Sequence, residues 1–258
     1  MAILFQDIVF GPIRSRRLGS SLGVNLMPRQ GKICTFDCIY CECGWNRDGT
    51  ADRRIPGKEE VFGRMDARFR EIHSEGTPVD TITFSGNGEP TLHPDFPEII
   101  DYTVKMRDTY FPKAVISVLS NATMTGRKEI REALMKVDNP ILKIDAGRDD
   151  IINAVNRPQG NYSLKETVEN LKHFHGNFIL QTIFFKYRPG EPGGFDLCDQ
   201  SLAGEWIKTV LELRPREVMA YTLDRPTPQT GLEKSTVGEM TTVTAPLRAE
   251  GIPVQIRG

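Results

Sequence analysis

Cysteine and histidine are scarce in this chain, five and four among 258 residues. So few thiols in a chain this long exclude a disulfide scaffold, the device of small secreted domains whose cores are too small to fold alone. No charge of one sign dominates. The formal net charge is −1, which excludes a globally basic nucleic-acid binder. Long apolar runs are missing too, so no segment is a candidate to cross a membrane. The opening residues, Met1 to Asp7, lack the basic n-region of a signal peptide. A reducing, cytoplasmic location is expected. No internal repeat or low-complexity stretch stands out, and one domain is expected over residues 1–258.

What cysteine there is lies mostly in one place. Cys34-Thr-Phe-Asp-Cys38-Ile-Tyr-Cys41 sets three thiols at C-x3-C-x2-C, with no fourth at a matching distance. A structural zinc site is usually closed by a fourth ligand, whereas a catalytic metal keeps a position open. Soft sulfur donors favour zinc or an iron–sulfur cluster. Cys43 follows so closely that ligation by it would strain the loop, so it is expected to be a free thiol, as is Cys198. Residues 1–33 hold Arg14, Arg16, Arg17, Arg29 and Lys32 against Asp7 alone. They read either as a solvated basic segment or as an anion-attracting rim around the cysteine loop, 34–44.

Periodicity organises the remainder. Leu22-Gly-Val-Asn-Leu-Met27 is a short strand running into the cysteine loop. Val61, Phe62, Met65, Phe69 and Ile72 recur at helical spacing, and strands follow over 79–84, 114–119, 141–144, 178–185 and 218–223. Helices alternate with them over 94–110, around 130–137 and 164–171, over 202–211 and, weakly, over 233–250. Ile252-Pro-Val-Gln-Ile256 is a last strand whose proline suggests an edge. Such alternation argues for an α/β fold with a mostly parallel sheet under right-handed crossovers. About six units suggest a nearly closed barrel. The Pro/Gly-rich stretch 188–194 reads as a loop, since the pattern resumes unchanged after it.

In such folds the chemistry gathers at the C-terminal ends of the strands. Those ends carry the cysteine loop, Ser85-Gly-Asn-Gly-Glu-Pro90, Ser120-Asn121, Asp145-Ala-Gly147, Lys186 and Asp224-Arg225. Gly86 and Gly88 let backbone approach a ligand closely. With proline nearby removing an N–H, carbonyls are the natural contact groups, which suits an ammonium and not a phosphate. Lys143 and Asp145 share one side of their strand. Facing the interior they form a polar wall; facing helices they would need pairing against a burial penalty. Asp224 and Arg225 are similar candidates that a surface ion pair explains almost as well. His73 suits a helix end, His173 and His175 read as surface residues, and His93 stands close enough to Gly-Glu-Pro to support the site from behind.

Together, the cysteine triplet with Tyr40 before its third member and Gly88-Glu-Pro90 after the next strand resemble the radical S-adenosylmethionine (SAM) superfamily. More closely, Phe10-Gly-Pro12, Ser15-Arg-Arg-Leu-Gly19, Ser21-Leu-Gly23, Ser85 through His93 and Lys143-Ile-Asp-Ala-Gly147 resemble a branch related to the wybutosine-synthesising radical enzyme of tRNA modification. The resemblance implies a partial (β/α)6 barrel. It implies a [4Fe-4S] cluster on Cys34, Cys38 and Cys41, with SAM chelating the open iron. Tyr40 would lie near adenine, carbonyls of Gly86, Asn87 and Gly88 would take the ammonium, and Glu89 would brace the turn. Ser120 and Asn121 would face ribose or carboxylate. One electron from a flavodoxin- or ferredoxin-type donor would cleave SAM to a 5′-deoxyadenosyl radical that abstracts hydrogen from a small metabolite or a modified nucleoside or RNA base.

Two departures qualify this. Asn87 stands where many members have glycine, so the ammonium contact is altered. Cys43 and Cys198 are too few to ligate a second cluster of the kind the wybutosine enzyme carries. Lys143 and Asp145 are the catalytic candidates. The near-neutral charge makes a large RNA footprint disfavoured. A glycyl-radical-enzyme activase, or a non-enzymatic iron–sulfur or zinc module, is the alternative.

Overall fold

The structure, a computed structural model, describes residues 3–15, 18–48, 53–188 and 194–258. Arg16 and Arg17 of the basic group and residues 189–193 of the Pro/Gly-rich stretch lie outside the described residues. The chain opens with an antiparallel hairpin, β1 (Val9–Ser15) and β2 (Gly19–Val24). After the cysteine loop come α1 (Lys58–Ser74), β3 (Thr81–Phe84), α2 (Phe96–Tyr110), β4 (Val115–Ser120), α3 (Lys128–Met135) and β5 (Asn139–Lys143). Then follow α4 (Asp149–Asn156), α5 (Leu164–Lys172), β6 (Ile179–Ile183), β7 (Phe185–Tyr187), β8 (Phe195–Asp196) and α6 (Gln200–Leu213). The chain ends with β9 (Glu217–Tyr221), β10 (Leu232–Lys234), α7 (Val237–Ala249) and β11 (Val254–Arg257).

Eight strands form one sheet in the order β1-β2-β3-β4-β5-β6-β9-β11. From β2 onward every pairing is parallel. The sheet curls into a half-barrel with β1 and β11 at its edges, the partial barrel that the resemblance implies and less closed than counting units suggested. β1 escaped the sequence reading because Gly11-Pro12 interrupts it, and the ladder shifts register between Phe10 and Ile13. The run 178–185, expected as one strand, splits at Phe184, and β7 leaves the main sheet to pair with β8 and β10. The helix expected over 233–250 begins later. Residues 232–234 form β10, and the reciprocal capping box of Thr236 and Glu239 starts α7.

Alternation along each strand separates two packing surfaces. Ile82, Phe84, Ile116, Val118, Leu142, Leu180 and Val218 belong to the core that includes the buried faces of the helices, among them Val61, Met65, Phe69 and Ile72 of α1. Ile141, Ile179 and Met219 form a separate small cluster with Leu18 and Leu119. Beside it runs a hydroxyl chain: Ser21 to Thr83 at 2.8 Å, Thr83 to Thr81 at 3.3 Å, Thr81 to Ser117 at 3.1 Å. Lys143 shares the parity of Ile141 and therefore projects into the half-barrel. That decides the orientation left open above. Among the described residues no helix is long and apolar enough to cross a membrane.

Candidate active site at the cysteine loop

Between β2 and α1 the described backbone has no regular helix or strand, and one contact fixes where it lies. Ile33 pairs with Gly88 in a parallel bridge, donating its N–H to the Asn87 carbonyl at 3.1 Å and accepting from the Glu89 N–H at 3.0 Å. A Cβ at Gly88 would stand 1.8 Å from the Ile33 carbonyl oxygen, and φ there is +140°. Only glycine lets the two loops approach this closely. The buried Glu89 carboxylate accepts from the Thr91 N–H and hydroxyl at 3.1 and 2.6 Å and from the Asn121 N–H at 2.7 Å. It ties the end of β3 to the end of β4. Burial raises its pKa, against the pull of these hydrogen bonds.

Asn87 is fully buried and has a local duty. Its amide donates to the Phe5 and Pro28 carbonyls at 2.9 and 2.7 Å, and its Oδ1 accepts from the Phe5 N–H at 2.8 Å. The asparagine thus anchors the N-terminal segment under the turn. The Gly86 carbonyl accepts from the Cys43 thiol at 3.2 Å. Two of the three carbonyls assigned to an ammonium therefore already have one partner, and each keeps a second lone pair. Ser120 Oγ accepts from the Ala122 N–H at 3.1 Å. Asn121 reaches Thr35 Oγ1 at 2.8 Å and Cys34 Sγ at 3.5 Å.

All five cysteines are free. Cys34 Sγ also faces the Phe36 N–H at 3.5 Å, and Cys38 Sγ faces Asn156 Nδ2 at 3.4 Å. Burial, with Cys41 beside it, pushes the Cys38 thiol up to about 11, against the Asn156 contact. Cys41 goes the other way: the neighbouring Cys43, through side chain and backbone, favours its thiolate over the burial penalty, helped by Lys32. Lys32 is 3% exposed and donates to the Gly44 carbonyl at 3.0 Å and to Asp37 Oδ1 at 3.2 Å. Burial opposes its charge, but Cys41, Cys34, Cys38 and Asp37 outweigh it, so the ammonium is held firmly protonated. No three His, Cys, Asp or Glu side chains among the described residues converge on a point for a single metal ion. Each thiolate of a four-iron cluster takes a different iron, so that donor set needs no common point. Three thiols, N–H groups aimed at two of them and a buried cation suit such an anionic cluster.

Deeper in the half-barrel, the second pair of candidates is joined to this loop. The Tyr40 hydroxyl donates to Asp145 Oδ2, which also accepts from Asn156 Nδ2 at 2.7 Å; Asp145 Oδ1 accepts from the Ile183 N–H at 3.1 Å. Lys143 Nζ lies 2.7 Å from the Tyr221 hydroxyl and 3.4 Å from Asp145 Oδ1. Its ammonium sits over the rings of Tyr40 and Tyr221, 5.2 and 4.9 Å from their centroids. Beside this network a cavity of about 250 Å³ is lined by Tyr40, Cys41, Gln181, Tyr221 and Arg225, among others.

Other candidates go elsewhere. Lys186 lies on β7 and pairs with Glu239 and Asp196, away from the strand ends, because β6 stops at Ile183. Asp224 and Arg225 do not pair with each other: Arg225 reaches Glu42 at 2.7 Å and Asp224 approaches Lys234 at 4.0 Å. His93 is buried between the Pro56 carbonyl, 2.7 Å from Nε2, and the Asp95 N–H, 3.1 Å from Nδ1. The described members of the basic group form no continuous rim. Arg14 stands opposite Ser20 at the start of β2, Arg29 pairs with Glu60, and Lys32 is buried. Sequence reasoning missed Asn156 and Tyr221 entirely, since Asn156 lies 118 positions from Cys38 and Tyr221 78 from Lys143.

The model of the radical SAM superfamily matches residues 30–191, which contain the cysteine loop, the Gly-Glu-Pro turn, Lys143 and Asp145. The chain belongs to the radical SAM superfamily. Members are enzymes that use a [4Fe-4S] cluster and SAM. A UPF0026 protein of Methanocaldococcus jannaschii is 29% identical over 86% of this chain and 65% of its own length. The chain thus spans just under two thirds of that relative. Among solved structures, a radical SAM methyltransferase from Sphaerobacter thermophilus has a TM-score of 0.65 at 16% identity, covering 92% of this chain and 65% of that one. Archaeal TYW1 has a TM-score of 0.54 at 13% identity, covering 89% and 71%. Both share the fold.

Proposed function

We propose that residues 1–258 form one catalytic domain in which Cys34, Cys38 and Cys41 ligate a single [4Fe-4S] cluster. Bound there with SAM, the cluster supplies one-electron reductive cleavage of SAM and hence hydrogen abstraction from a substrate. The chain's own groups orient the partners and exclude water. Tyr40, Gly86, Asn87, Gly88, Glu89, Ser120 and Asn121 surround the SAM side. Glu89 and Gly88 act by shaping the turn, while Gly86, Ser120 and Asn121 offer polar atoms at its surface. Lys143 and Asp145 form the substrate side from behind, through Tyr221 and Tyr40, which they contact and which line the cavity. A small metabolite or a single modified nucleoside or RNA base fits a cavity of about 250 Å³. A flavodoxin- or ferredoxin-type protein supplies the electron, in the reducing cytoplasm that free thiols require.

The observation that carries this reading is the Ile33–Gly88 bridge, which holds the cysteine loop against the Gly-Glu-Pro turn. Anaerobic reconstitution with iron and sulfide should give a brown protein whose dithionite-reduced paramagnetic signal changes when SAM is added. A protein that takes up no iron, or whose signal ignores SAM, contradicts the assignment.

A further inference from the structure

Lys32 is the most deeply buried of the described cations between β2 and α1, its side chain 2% exposed against 18% for Asp37. An ammonium this far from water is costly unless nearby negative charge compensates. Asp37 compensates only in part, because its Oδ1 also accepts the Asn46 N–H at 2.8 Å and the carboxylate is the more solvent-screened partner. Its two acceptors flank the cysteines: Asp37 immediately precedes Cys38, and the Gly44 carbonyl, at 3.0 Å, belongs to a turn closed by the Gly44 N–H on the Cys41 carbonyl at 3.0 Å. The ammonium is therefore held inside the loop that carries Cys34, Cys38 and Cys41.

We propose that Lys32 is a positioning residue that sets the reduction potential of the cluster. The inference rests on the assignment of Cys34, Cys38 and Cys41 as its ligands. A cluster with three thiolates carries one net negative charge when oxidised and two when reduced. One electron enters from the reductant, which is oxidised by one electron, and no bond or proton changes. A fixed positive charge nearby stabilises the more negative state in a medium that screens poorly. Net charge and hydrogen bonds to sulfur are the levers that tune such potentials. Asn121, the Phe36 N–H and Asn156 supply the second lever at Cys34 and Cys38; Lys32 supplies the first. Lowering the demand on the reductant in this way lets a weaker one-electron donor serve the site.

The test is a potentiometric titration of the reconstituted protein with dithionite, without SAM, followed by the paramagnetic signal. Lys32→Met, which keeps the apolar stem, should shift the reduced-to-oxidised ratio at fixed potential about tenfold toward oxidised, or about 59 mV downward. Asp37→Asn removes a negative charge and should shift it the opposite way. If Lys32→Met does not hold iron, Lys32→Gln, which keeps a donor for the Gly44 carbonyl without the charge, should show the same downward shift. A wild-type potential in either iron-loaded Lys32 variant overturns the proposal, and so does loss of iron from both, which marks the lysine as purely structural. A wild-type protein that binds no cluster refutes the ligand assignment instead.

Discussion

Two layers of the same strands differ sharply in what they bury. At its middle, one layer below Lys143, β5 contributes Ile141 to a small apolar cluster with Ile179 and Met219, beside a chain of serine and threonine hydroxyls. Toward its C-terminal end the same face carries Lys143, with Asp145 just past the strand, in a network with Tyr40, Asn156 and Tyr221. The lower layer is neutral and locally satisfied, which is what packing alone asks of a barrel interior. The upper layer buries charge, which adds little to stability that well-packed apolar residues could not match. Charge retained at that cost, next to the cysteine loop, is what the proposed function assigns to the substrate side.

That contrast can be broken at either layer. Asp145→Ala should produce the largest effect, about 3–5 kcal/mol of lost stability, because it leaves the Lys143 ammonium buried without its carboxylate. Adding Lys143→Met should recover most of that stability in chemical denaturation without restoring turnover. Recovery of both would make the pair structural. Ile141→Ala, in the lower layer, should cost about 2–5 kcal/mol yet leave SAM cleavage per folded molecule near wild type. Thr83→Val should cost only about 1 kcal/mol and leave activity untouched. A loss of SAM cleavage in the folded Thr83→Val protein would erase the distinction between the layers.

How much of this was legible beforehand depended on the range of the interaction. Local patterns were readable: the 61–72 spacing lies on the buried face of α1, and the β-branched run before Ser85 is β3. The parity of Lys143 and Asp145 was readable too, though not which way it faced. The short helix α4 was missed because its buried face is only Ile152, Val155 and the polar Asn156, and Arg157, not glycine, takes the left-handed cap at φ 45°. Lys32 was counted with the basic residues, since composition cannot show that a lysine is buried against Asp37 and the Gly44 carbonyl. Asn156 carried no local signal at all. It matters only because folding brings it to Cys38, Tyr40 and Asp145 at once.

The most direct test of the central claim is the yield of 5′-deoxyadenosine from SAM after anaerobic reconstitution and dithionite reduction, compared across cysteine variants. The account predicts product from the wild-type protein, none from Cys38→Ala, and nearly wild-type yield from Cys43→Ala, whose thiol touches the Gly86 carbonyl. Iron-loaded wild-type protein that yields no 5′-deoxyadenosine, or a loss in Cys43→Ala as complete as in Cys38→Ala, would contradict it.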